Sequence, residues 1–339
     1  MTGHTGFKGS WMSLWLNAMG AIVRGLSLPP AVAPNLFDIA QVRRCLEHRI
    51  VDIRDFGAVC SELGDFQPEI LIHMAAQPLV RFSYQDPLGT YSTNVMGTIN
   101  VLEAARRTDS VKTIVNVTSD KCYENKGTSG ALSESEPMGG RDPYSSSKGC
   151  SELVSRAYRD SFFSCHDIGL ATARAGNVIG GGDWSSGRLV PDVLCSLEKN
   201  EPLLLRNPDF VRPWQHVLEP VSGYLLLAEL LYLEGTEYAE GWNFGPSDSD
   251  QKSVAWVADF LYAAAGRGSA WTQELKEQPW EAASLRLDSS KSQRRLNWQP
   301  RWSIETTLRH TLEWHQNWLA GHDMKEECLM QIQRYETGT

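Results

Sequence analysis

A tyrosine and a lysine stand four positions apart in the stretch Tyr144-Ser145-Ser146-Ser147-Lys148. Asp142-Pro143 precedes them and predicts the start of a helix, which puts Tyr144 and Lys148 on one helix face. A lysine charge beside a phenol stabilises the phenolate and lowers the phenol pKa from about 10. The pair is suited to removing a proton from a sugar hydroxyl, although the same spacing also arises by chance at a helix start with a solvated lysine.

The first ten residues carry a second chemical signal, a glycine at every third position: Gly3, Gly6 and Gly9. Apolar residues at helical spacing follow at once, namely Trp11, Leu14, Trp15, Ala18 and Ile22. Such a turn lets backbone N–H groups approach a pyrophosphate, and the helix N-terminus adds favourable electrostatics. We therefore predict a dinucleotide-binding turn formed by the glycines and Phe7. The strand that should precede the turn is missing, and we expect translation to begin upstream of Met1.

The rest of the chain alternates short apolar runs with longer helical patterns. This alternation predicts an α/β fold, a Rossmann-type doubly wound parallel sheet with helices on both faces. The predicted strands cover 21–28, 50–53, 69–76, 112–118 and 170–177, and the predicted helices lie near 35–48, 56–65, 88–108 and 144–163. Ligands of such sheets bind beyond the carboxyl ends of the strands, which is where Gln77, Ser119 and Asn177 fall.

The amino-acid composition changes near residue 178, after which tryptophan, proline and arginine become frequent. We predict a dinucleotide-binding domain over 1–178 and a smaller substrate-binding region over 179–339. The apolar helical segment at about 217–242 is expected to pack back on the first domain.

Composition excludes several classes of function. The 339 residues are 42% hydrophobic and 22% charged, as in an ordinary globular enzyme, and the net charge of −9 argues against a nucleic-acid surface. No apolar run reaches the roughly 18 residues that a membrane span needs. The seven cysteines are scattered without a CxxC pair, which predicts a reducing compartment, the cytoplasm. The eight histidines lack the spacing of metal ligands, so we expect no metal.

Together these motifs resemble the extended short-chain dehydrogenase/reductase family over essentially the whole chain. Its TGxxGxxG turn runs from Thr2 to Gly9, and its catalytic pair is present as Tyr144 and Lys148. The resemblance implies that Ser119 hydrogen-bonds the sugar hydroxyl and that Lys148 holds the cofactor ribose. It also implies further cofactor contacts at Asp52, Ile53, Ala75, Ala76 and Gln77. Asn94 resembles the structural asparagine of the family's active site and is counted with the cofactor-binding residues.

The stretch Ser119-Asp120-Lys121 resembles one branch of that family, the nucleoside-diphosphate-hexose 4,6-dehydratases, most of which are similar to Thr-Asp-Glu here. These hydro-lyases need an acid and a base beyond the serine, tyrosine and lysine. The resemblance implies that Asp120 is the acid for the C6 hydroxyl, which requires burial to raise its pKa. Lys121 is then expected to be the C5 base, provided that burial lowers its pKa. A loop ion pair between Asp120 and Lys121 is the alternative.

Three separated stretches are similar to the dehydratases that act on CDP-hexoses, namely residues 6–11, 75–81 and 212–217. This resemblance implies dehydration of CDP-glucose, in the synthesis of deoxysugars for surface polysaccharide such as the O-antigen of lipopolysaccharide. Asn177 is expected to contact the phosphates of the substrate. Arg188, Arg206 and Arg212 are candidates for pairing with the diphosphate or ribose, although a surface ion pair explains each arginine equally well.

Several alternatives stay open at the level of function. One is a dehydratase for a dTDP- or GDP-hexose, and another is a nucleotide-sugar 4-epimerase, which Asp120 and Lys121 disfavour. A non-enzymatic dinucleotide sensor is disfavoured because Tyr144 and Lys148 are both present.

The cofactor and the assembly follow from the resemblance. Oxidation and reduction within one cycle favour NAD, which makes 1–178 the NAD-binding domain. The second strand, however, carries Arg24 and lacks the acidic residue usual for the NAD ribose, and an arginine could suit a 2′-phosphate. The family also implies a homodimer formed through the helices near 88–108 and 144–163.

Overall fold

The computed structural model describes residues 1–125, 130–274 and 280–338. Its strands are β1 (Arg24–Ser27), β2 (Glu47–Ile50), β3 (Ile70–His73), β4 (Thr113–Val117), β5 (Gly169–Ala175), β6 (Asn177–Ile179), β7 (Leu203–Leu205), β8 (Val211–His216), β9 (Gly241–Phe244), β10 (Gln251–Ser253) and β11 (Trp271–Gln273). Its α-helices are α1 (Phe7–Ala18), α2 (Leu36–Ile39), α3 (Phe56–Phe66), α4 (Val80–Gln85), α5 (Pro87–Tyr91), α6 (Gly97–Arg106), α7 (Pro143–Tyr158), α8 (Leu189–Lys199), α9 (Leu218–Glu234), α10 (Val254–Ala264), α11 (Ser290–Arg295), α12 (Ile304–Leu319) and α13 (Met324–Thr337).

The central sheet is parallel throughout and consists of a β2-β1 part and a β3-β4-β5-β9 part. Thr2 lies between the two parts and forms parallel bridges to Leu26 of β1 and His73 of β3. The backbone N–H of Thr2 donates to Ile72 O at 2.9 Å, and that of Gly3 donates to Leu26 O at 2.8 Å. The glycine turn therefore starts from the middle of the sheet, and the predicted doubly wound parallel architecture is confirmed.

Helices cover both faces of this sheet, which is why every residue of β4 and β5 is buried. On one face α1, α9 and α13 surround a core that includes Trp11, Tyr224 and Trp242. On the other face α3 and α6 pack around Val59 and Leu102. Helix α7 adds a mostly polar face to that side, and the candidate catalytic residues lie there.

The second half of the chain adds smaller sheets and further helices. Strand β8 pairs in parallel with β6 and antiparallel with β10, and β7 pairs with β11. Helices α8, α10 and α12 enclose a separate apolar core that includes Val193, Leu261 and Leu308. Helix α13 returns to α1, where Trp15 Nε1 donates to Glu336 Oε1 at 2.7 Å. The division at residue 178 stays a prediction.

Most predicted elements are present, but the segment 35–53 differs. The predicted helix 35–48 is wrong beyond Ile39, because Gln41 adopts a left-handed conformation with φ of 49° and a short 3-10 turn, Val42–Cys45, follows. The predicted strand 50–53 is also wrong, since the strand is β2 and ends at Ile50. Strand β2 is largely exposed and reads Glu-His-Arg-Ile, so it lacks the apolar run that marks a buried strand.

Candidate active site

The glycine turn leads into the amino end of α1 and packs against the carboxyl end of β3. Gly3 has φ of +79°, and a Cβ there would stand 2.7 Å from Ala75 N. A Cβ on Gly9 would stand 2.1 Å from the Gly3 carbonyl oxygen. Thr2 Oγ1 accepts from the backbone N–H of Ala75 at 3.0 Å and contacts His73 Nδ1 at 2.7 Å. Only glycine fits this cradle at both positions, and the first turn of α1 opens onto it as a diphosphate site requires.

The side chains of two residues predicted to bind the cofactor, Asp52 and Ile53, contact other residues of the protein instead. The Asp52 carboxylate pairs with the guanidinium of Arg54, with Nη2 and Oδ2 2.6 Å apart. This hydrogen-bonded pair holds the pKa of Asp52 below its ordinary value. The Ile53 side chain is buried in the core, where a Cβ on Gly97 would stand 2.5 Å from its Cδ1. A contact from Ile53 to a cofactor would therefore use its backbone.

The buried side chain of Asn94 forms hydrogen bonds that connect its own helical turn to the end of β3 and to α7. It lies in a π-helical turn, Ser92–Met96, between α5 and α6. Its Oδ1 accepts from Gln77 N at 2.8 Å, while its Nδ2 donates to Gln77 O at 3.0 Å and to Ser147 Oγ at 2.9 Å. Gln77 follows Ala75 and Ala76 at the end of β3, and Ser147 precedes Lys148 on α7. These hydrogen bonds therefore hold the carboxyl end of β3, where the cofactor is expected, against the helix that carries Tyr144.

Ser119, Asp120 and Tyr144 form one buried cluster. Ser119 begins a 3-10 turn directly after β4, and its Oγ lies 3.0 Å from Asp120 Oδ1. Ser119 also acts to lower the pKa of Tyr144. The other oxygen, Asp120 Oδ2, has no hydrogen-bond partner among the residues that the structure describes. Burial raises the pKa of Asp120, against the nearby charge of Lys121 and the bond to Ser119.

The pKa expected for Tyr144 from the sequence differs from that in the structure. Burial raises the pKa of Tyr144 to about 12, although the hydrogen bond with Ser119 acts in the opposite direction. The predicted lowering by Lys148 is therefore wrong for this structure. Lys148 Nζ instead donates to the carbonyl of Val117 at 3.2 Å, and burial lowers its own pKa to about 8.

Lys121 points to a carboxylate from a distant part of the chain. Its Nζ lies 3.8 Å from Glu281 Oε1, and the same oxygen accepts from Arg212 Nη2 at 2.9 Å. Burial acts to raise the pKa of Glu281, but the charges of Lys121 and Arg212 hold it below its ordinary value. No ion pair joins Asp120 to Lys121 in the described ranges, so the alternative of a loop ion pair is not observed.

The predicted substrate residues differ in their surroundings. Arg212 on β8 is only 4% exposed, so it is not a surface residue. Arg188 Nη1 pairs with Asp183 Oδ2 at 2.9 Å, and its charge acts on Tyr144. Arg206 Nη2 donates to the Gly187 carbonyl at 2.9 Å. Asn177 is half-buried at the start of β6.

A cavity of about 380 Å³ lies beside the cluster. Its walls include Lys121, the start of α7 at Asp142 and Ser145, and the pair Trp280 and Glu281. This size is within the range of sites that enclose small organic ligands. Lys121 and Ser145 line the cavity and directly follow Asp120 and Tyr144 in the chain, so a ligand in the cavity would contact the predicted base.

Sequence reasoning missed three residues of this site. Lys8 Nζ donates to Tyr224 OH at 3.2 Å, and burial, together with the charges of Lys148 and Arg188, lowers the pKa of Lys8 to about 7. A lysine in the first turn of a helix is unfavourable beside the positive end of the helix dipole. This unusual placement of Lys8 is the feature of the sequence that could have indicated a functional role. Tyr224 lies within an apolar helix, and Glu281 is a charged residue far along the chain, so neither carried a signal.

Arg24 does not stand at the cofactor edge. It begins β1, on the opposite side of the sheet from the carboxyl ends, and its side chain is 9% exposed. Its guanidinium pairs with Glu47, Glu62 and Asp65. The suggestion that Arg24 suits a 2′-phosphate is therefore wrong, because its charge is already neutralised within the protein.

Residues 1–311 match the model of the GDP-mannose 4,6 dehydratase family. The chain belongs to this family. Membership confirms the predicted resemblance to the extended short-chain dehydrogenases and their 4,6-dehydratase branch.

Two curated relatives cover 95% or more of this chain. The CDP-glucose 4,6-dehydratase of Salmonella typhimurium is 50% identical over 344 residues, which span 100% of this chain and 96% of that protein. The dTDP-glucose 4,6-dehydratase of Xanthomonas campestris pv. campestris is 26% identical, over 95% of this chain and 94% of that protein.

Solved structures agree with the fold. The dTDP-glucose 4,6-dehydratase DesIV from Streptomyces venezuelae, crystallised with NAD bound, has a TM-score of 0.81 and 25% identity over 96% of this chain and 98% of its own. A UDP-glucose 4-epimerase from Thermotoga maritima also has a TM-score of 0.81, at 21% identity over 94% of this chain and 98% of its own. The likeness to the epimerase concerns the fold alone.

Proposed function

We propose that this protein is an NAD-dependent hydro-lyase that converts CDP-glucose to CDP-4-dehydro-6-deoxyglucose. The observation that carries the proposal is the buried Asp120 carboxyl, bonded to Ser119 beside Tyr144, with one oxygen left without a partner in the described chain. An epimerase needs no such acid. The 50% identity to a CDP-glucose 4,6-dehydratase over the whole chain supports the choice of substrate.

The residues of the glycine turn fit a bound NAD. Gly3 and Gly9 leave room where any Cβ would collide with backbone, and α1 begins at the turn. Lys148 would hold the nicotinamide ribose, and the backbone after Asp52 the adenine side. NAD, when bound, supplies the acceptor for the hydride from C4 and the donor of the same hydride to C6.

The oxidation step belongs to Tyr144. Its phenolate oxygen accepts the proton of the C4 hydroxyl while hydride leaves C4, which creates the C4 ketone. Because burial raises the pKa of Tyr144 to about 12, its ionisation depends on positive charge nearby. The charge of Arg188 acts in that direction, and the oxidised nicotinamide ring of bound NAD would add to it. Ser119 donates a hydrogen bond to the C4 oxygen and keeps the substrate in register with Tyr144.

The elimination step belongs to Asp120 and Lys121. The C4 ketone acidifies the C5 proton, which Lys121 removes as the base. Asp120, whose pKa is raised by burial, gives a proton to the C6 hydroxyl, and water departs to leave a C5–C6 double bond. When hydride reaches C6, Lys121 returns a proton to C5. Tyr144 then releases the proton that it took from the C4 hydroxyl and Asp120 regains one, so both groups are restored and the net change is the loss of one water.

The substrate diphosphate is expected beside a group of arginines. Arg212 is buried and presents a planar guanidinium, which is suited to phosphate oxygens. Arg206 donates to the carbonyl of Gly187, the residue directly before Arg188, and Asn177 is the first residue of β6. In the free protein the Glu281 carboxylate neutralises Arg212, so binding of the diphosphate would exchange one anion for another.

We also propose a cytoplasmic homodimer that makes deoxysugars for surface polysaccharide. Large apolar side chains are exposed on the helices predicted to form the interface, including Leu88 at 84% and Leu153 at 57%. All seven cysteines are free thiols, which fits a reducing compartment. In the described part of the chain, no helix is long and apolar enough to cross a membrane.

The cheapest test is incubation of the purified protein with CDP-glucose and NAD, followed by alkali. A 4-keto-6-deoxy sugar nucleotide develops ultraviolet absorbance in base, which the substrate lacks. Parallel reactions with dTDP-glucose and GDP-mannose resolve the nucleotide. Product from dTDP-glucose or GDP-mannose in preference to CDP-glucose overturns the substrate assignment.

A further inference from the structure

A buried carboxylate lies behind the catalytic cluster and takes no part in the steps above. Glu152 stands one turn beyond Lys148 on the same face of α7, and its side chain is only 4% exposed. Two hydroxyls donate to it, Thr118 Oγ1 and Thr172 Oγ1, the latter at 2.7 Å. Arg174 donates with Nε at 2.8 Å and Nη2 at 2.6 Å. Both carboxylate oxygens are thereby fully engaged.

Arg174 extends this contact to the far end of the catalytic segment. Its Nη1 donates to Tyr123 OH at 2.6 Å, and Tyr123 OH donates to Asn243 Oδ1 at 2.7 Å. Thr118 directly precedes the segment 119–121, and Tyr123 follows it after one residue. The Glu152–Arg174 pair therefore holds both ends of the segment that presents the serine, the acid and the base.

Glu152 also supplies negative charge near Lys148. Burial acts to raise the pKa of Glu152, but Arg174 and the hydroxyl donors hold it below its ordinary value, so the group is ionised. Burial lowers the pKa of Lys148 to about 8, and Glu152 opposes that lowering. The other titratable groups around Lys148 are Cys122 after β4, Lys8 on α1, His73 on β3 and Tyr144 on α7 itself.

We propose that Glu152 is a positioning residue for the dehydratase reaction. Together with Arg174 it fixes the segment 119–121 against α7, and its charge keeps Lys148 in the ammonium form. The inference rests on the proposed function, because it assigns Glu152 to the same reaction. It predicts that the charge of Glu152, separately from its hydrogen bonds, sets the alkaline limit of activity.

The test is the pH profile of kcat for CDP-glucose with saturating NAD in Glu152→Gln. We expect the alkaline limb to move down by about one pH unit, because an opposite charge at this range shifts a pKa by that order. A displaced catalytic segment also lowers kcat, by about ten- to a hundredfold, with little change in KM. Glu152→Asp retains the charge and should restore the wild-type limb.

Thr172→Val is the matched control, because it removes one hydrogen bond to Glu152 and leaves the charge. It should reduce thermal stability without moving the limb. If Glu152→Gln fails to fold beside an unpaired Arg174, the double variant Glu152→Gln/Arg174→Gln removes both charges and should show a smaller downward shift, because the Arg174 cation that opposes Glu152 is lost as well. An unmoved limb in the folded variant overturns the inference, whereas absence of product from the wild-type protein overturns the proposed function instead.

Discussion

Ser119 Oγ lies 3.0 Å from Asp120 Oδ1, and the same residue acts to lower the pKa of Tyr144. One serine thus connects the residue proposed for oxidation at C4 with the residue proposed for protonation at C6. Asp120 Oδ2 has no hydrogen-bond partner within residues 1–125, 130–274 and 280–338. A buried carboxyl oxygen without a partner is costly unless the carboxyl is protonated or a ligand completes it. This relationship lets one site carry out oxidation and elimination in turn.

Asp120→Asn separates those two steps. The amide keeps the shape and neutrality of the protonated carboxyl but has no proton to give, so elimination should slow by about 10²–10⁴-fold. Oxidation at C4 should continue, and NADH should accumulate in a single turnover with CDP-glucose, seen by its near-ultraviolet absorbance. Asp209→Asn, at an exposed position, is the control. Loss of the NADH signal in Asp120→Asn would contradict the assignment of Asp120 as the acid.

Lys121→Ala tests the base. Without the amine, dehydration should slow far more than C4 oxidation, because only the C5 proton transfer depends on Lys121. Exchange of the C5 hydrogen in D₂O, followed by NMR, reports that transfer directly and should disappear in the variant. Lys112→Ala, which removes an exposed ion pair with Glu69, is the matched control. Equal losses in oxidation and dehydration would contradict the assignment.

Two glycines of the cofactor turn should respond differently to alanine. A Cβ on Gly9 would stand 2.1 Å from the Gly3 carbonyl oxygen, so Gly9→Ala must displace backbone and should cost about 1–3 kcal/mol of stability. The nearest atom to a Cβ on Gly6 is 3.5 Å away, so Gly6→Ala should stay within about 0.5 kcal/mol of wild type. Thermal unfolding without NAD measures both, and equal effects would count against this account of the turn.

Glu219 makes stability depend on pH. Burial raises its pKa from 4.5 to about 7, against hydrogen bonds from the backbone of Trp302 and Arg301 and from Tyr335 OH. Because the folded state holds this proton more tightly, the contribution is fully present below pH 4.5 and is lost as pH rises through about 7. Its full size is on the order of 3 kcal/mol.

Chemical denaturation between pH 4.5 and 7 checks this slope. Glu219→Gln cannot titrate, so its unfolding free energy should fall less steeply with pH than that of wild type. Glu229→Gln, at an exposed position of the same helix, is the control and should keep the wild-type slope. Identical slopes in Glu219→Gln and wild type would contradict the prediction.

The sequence predicted the elements whose signals are local. The helix start at Asp142-Pro143 and the buried strands β4 and β5 were predictable, because capping and continuous apolar runs act within a few residues. The exposed strand β2 was not, since its pairing with β1 and not its composition makes it a strand. The left-handed Gln41, which ends the helical run before β2, also carried no signal.

The sequence predicted the site less fully than the fold. Tyr144 and Lys148 are helix neighbours and could be paired from their spacing, but the raised pKa of Tyr144 follows from burial that only tertiary packing creates. Glu281 reaches Lys121 and Arg212 from far along the chain. Arg24 could suggest a phosphate ligand only while its acidic partners on β2 and α3 were unknown.

The most direct test of the proposed reaction uses CDP-glucose carrying deuterium at C4, with NAD in amounts far below the substrate. We predict a product that has lost one water and carries the deuterium at C6, by mass spectrometry and NMR, because the hydride from C4 returns within the same site. Deuterium that stays at C4 with no loss of water would mean epimerisation, and deuterium lost to solvent would mean that the two hydride transfers are not coupled. The first result would contradict the assignment of this protein as a 4,6-dehydratase, and the second would contradict the return of the hydride within one site.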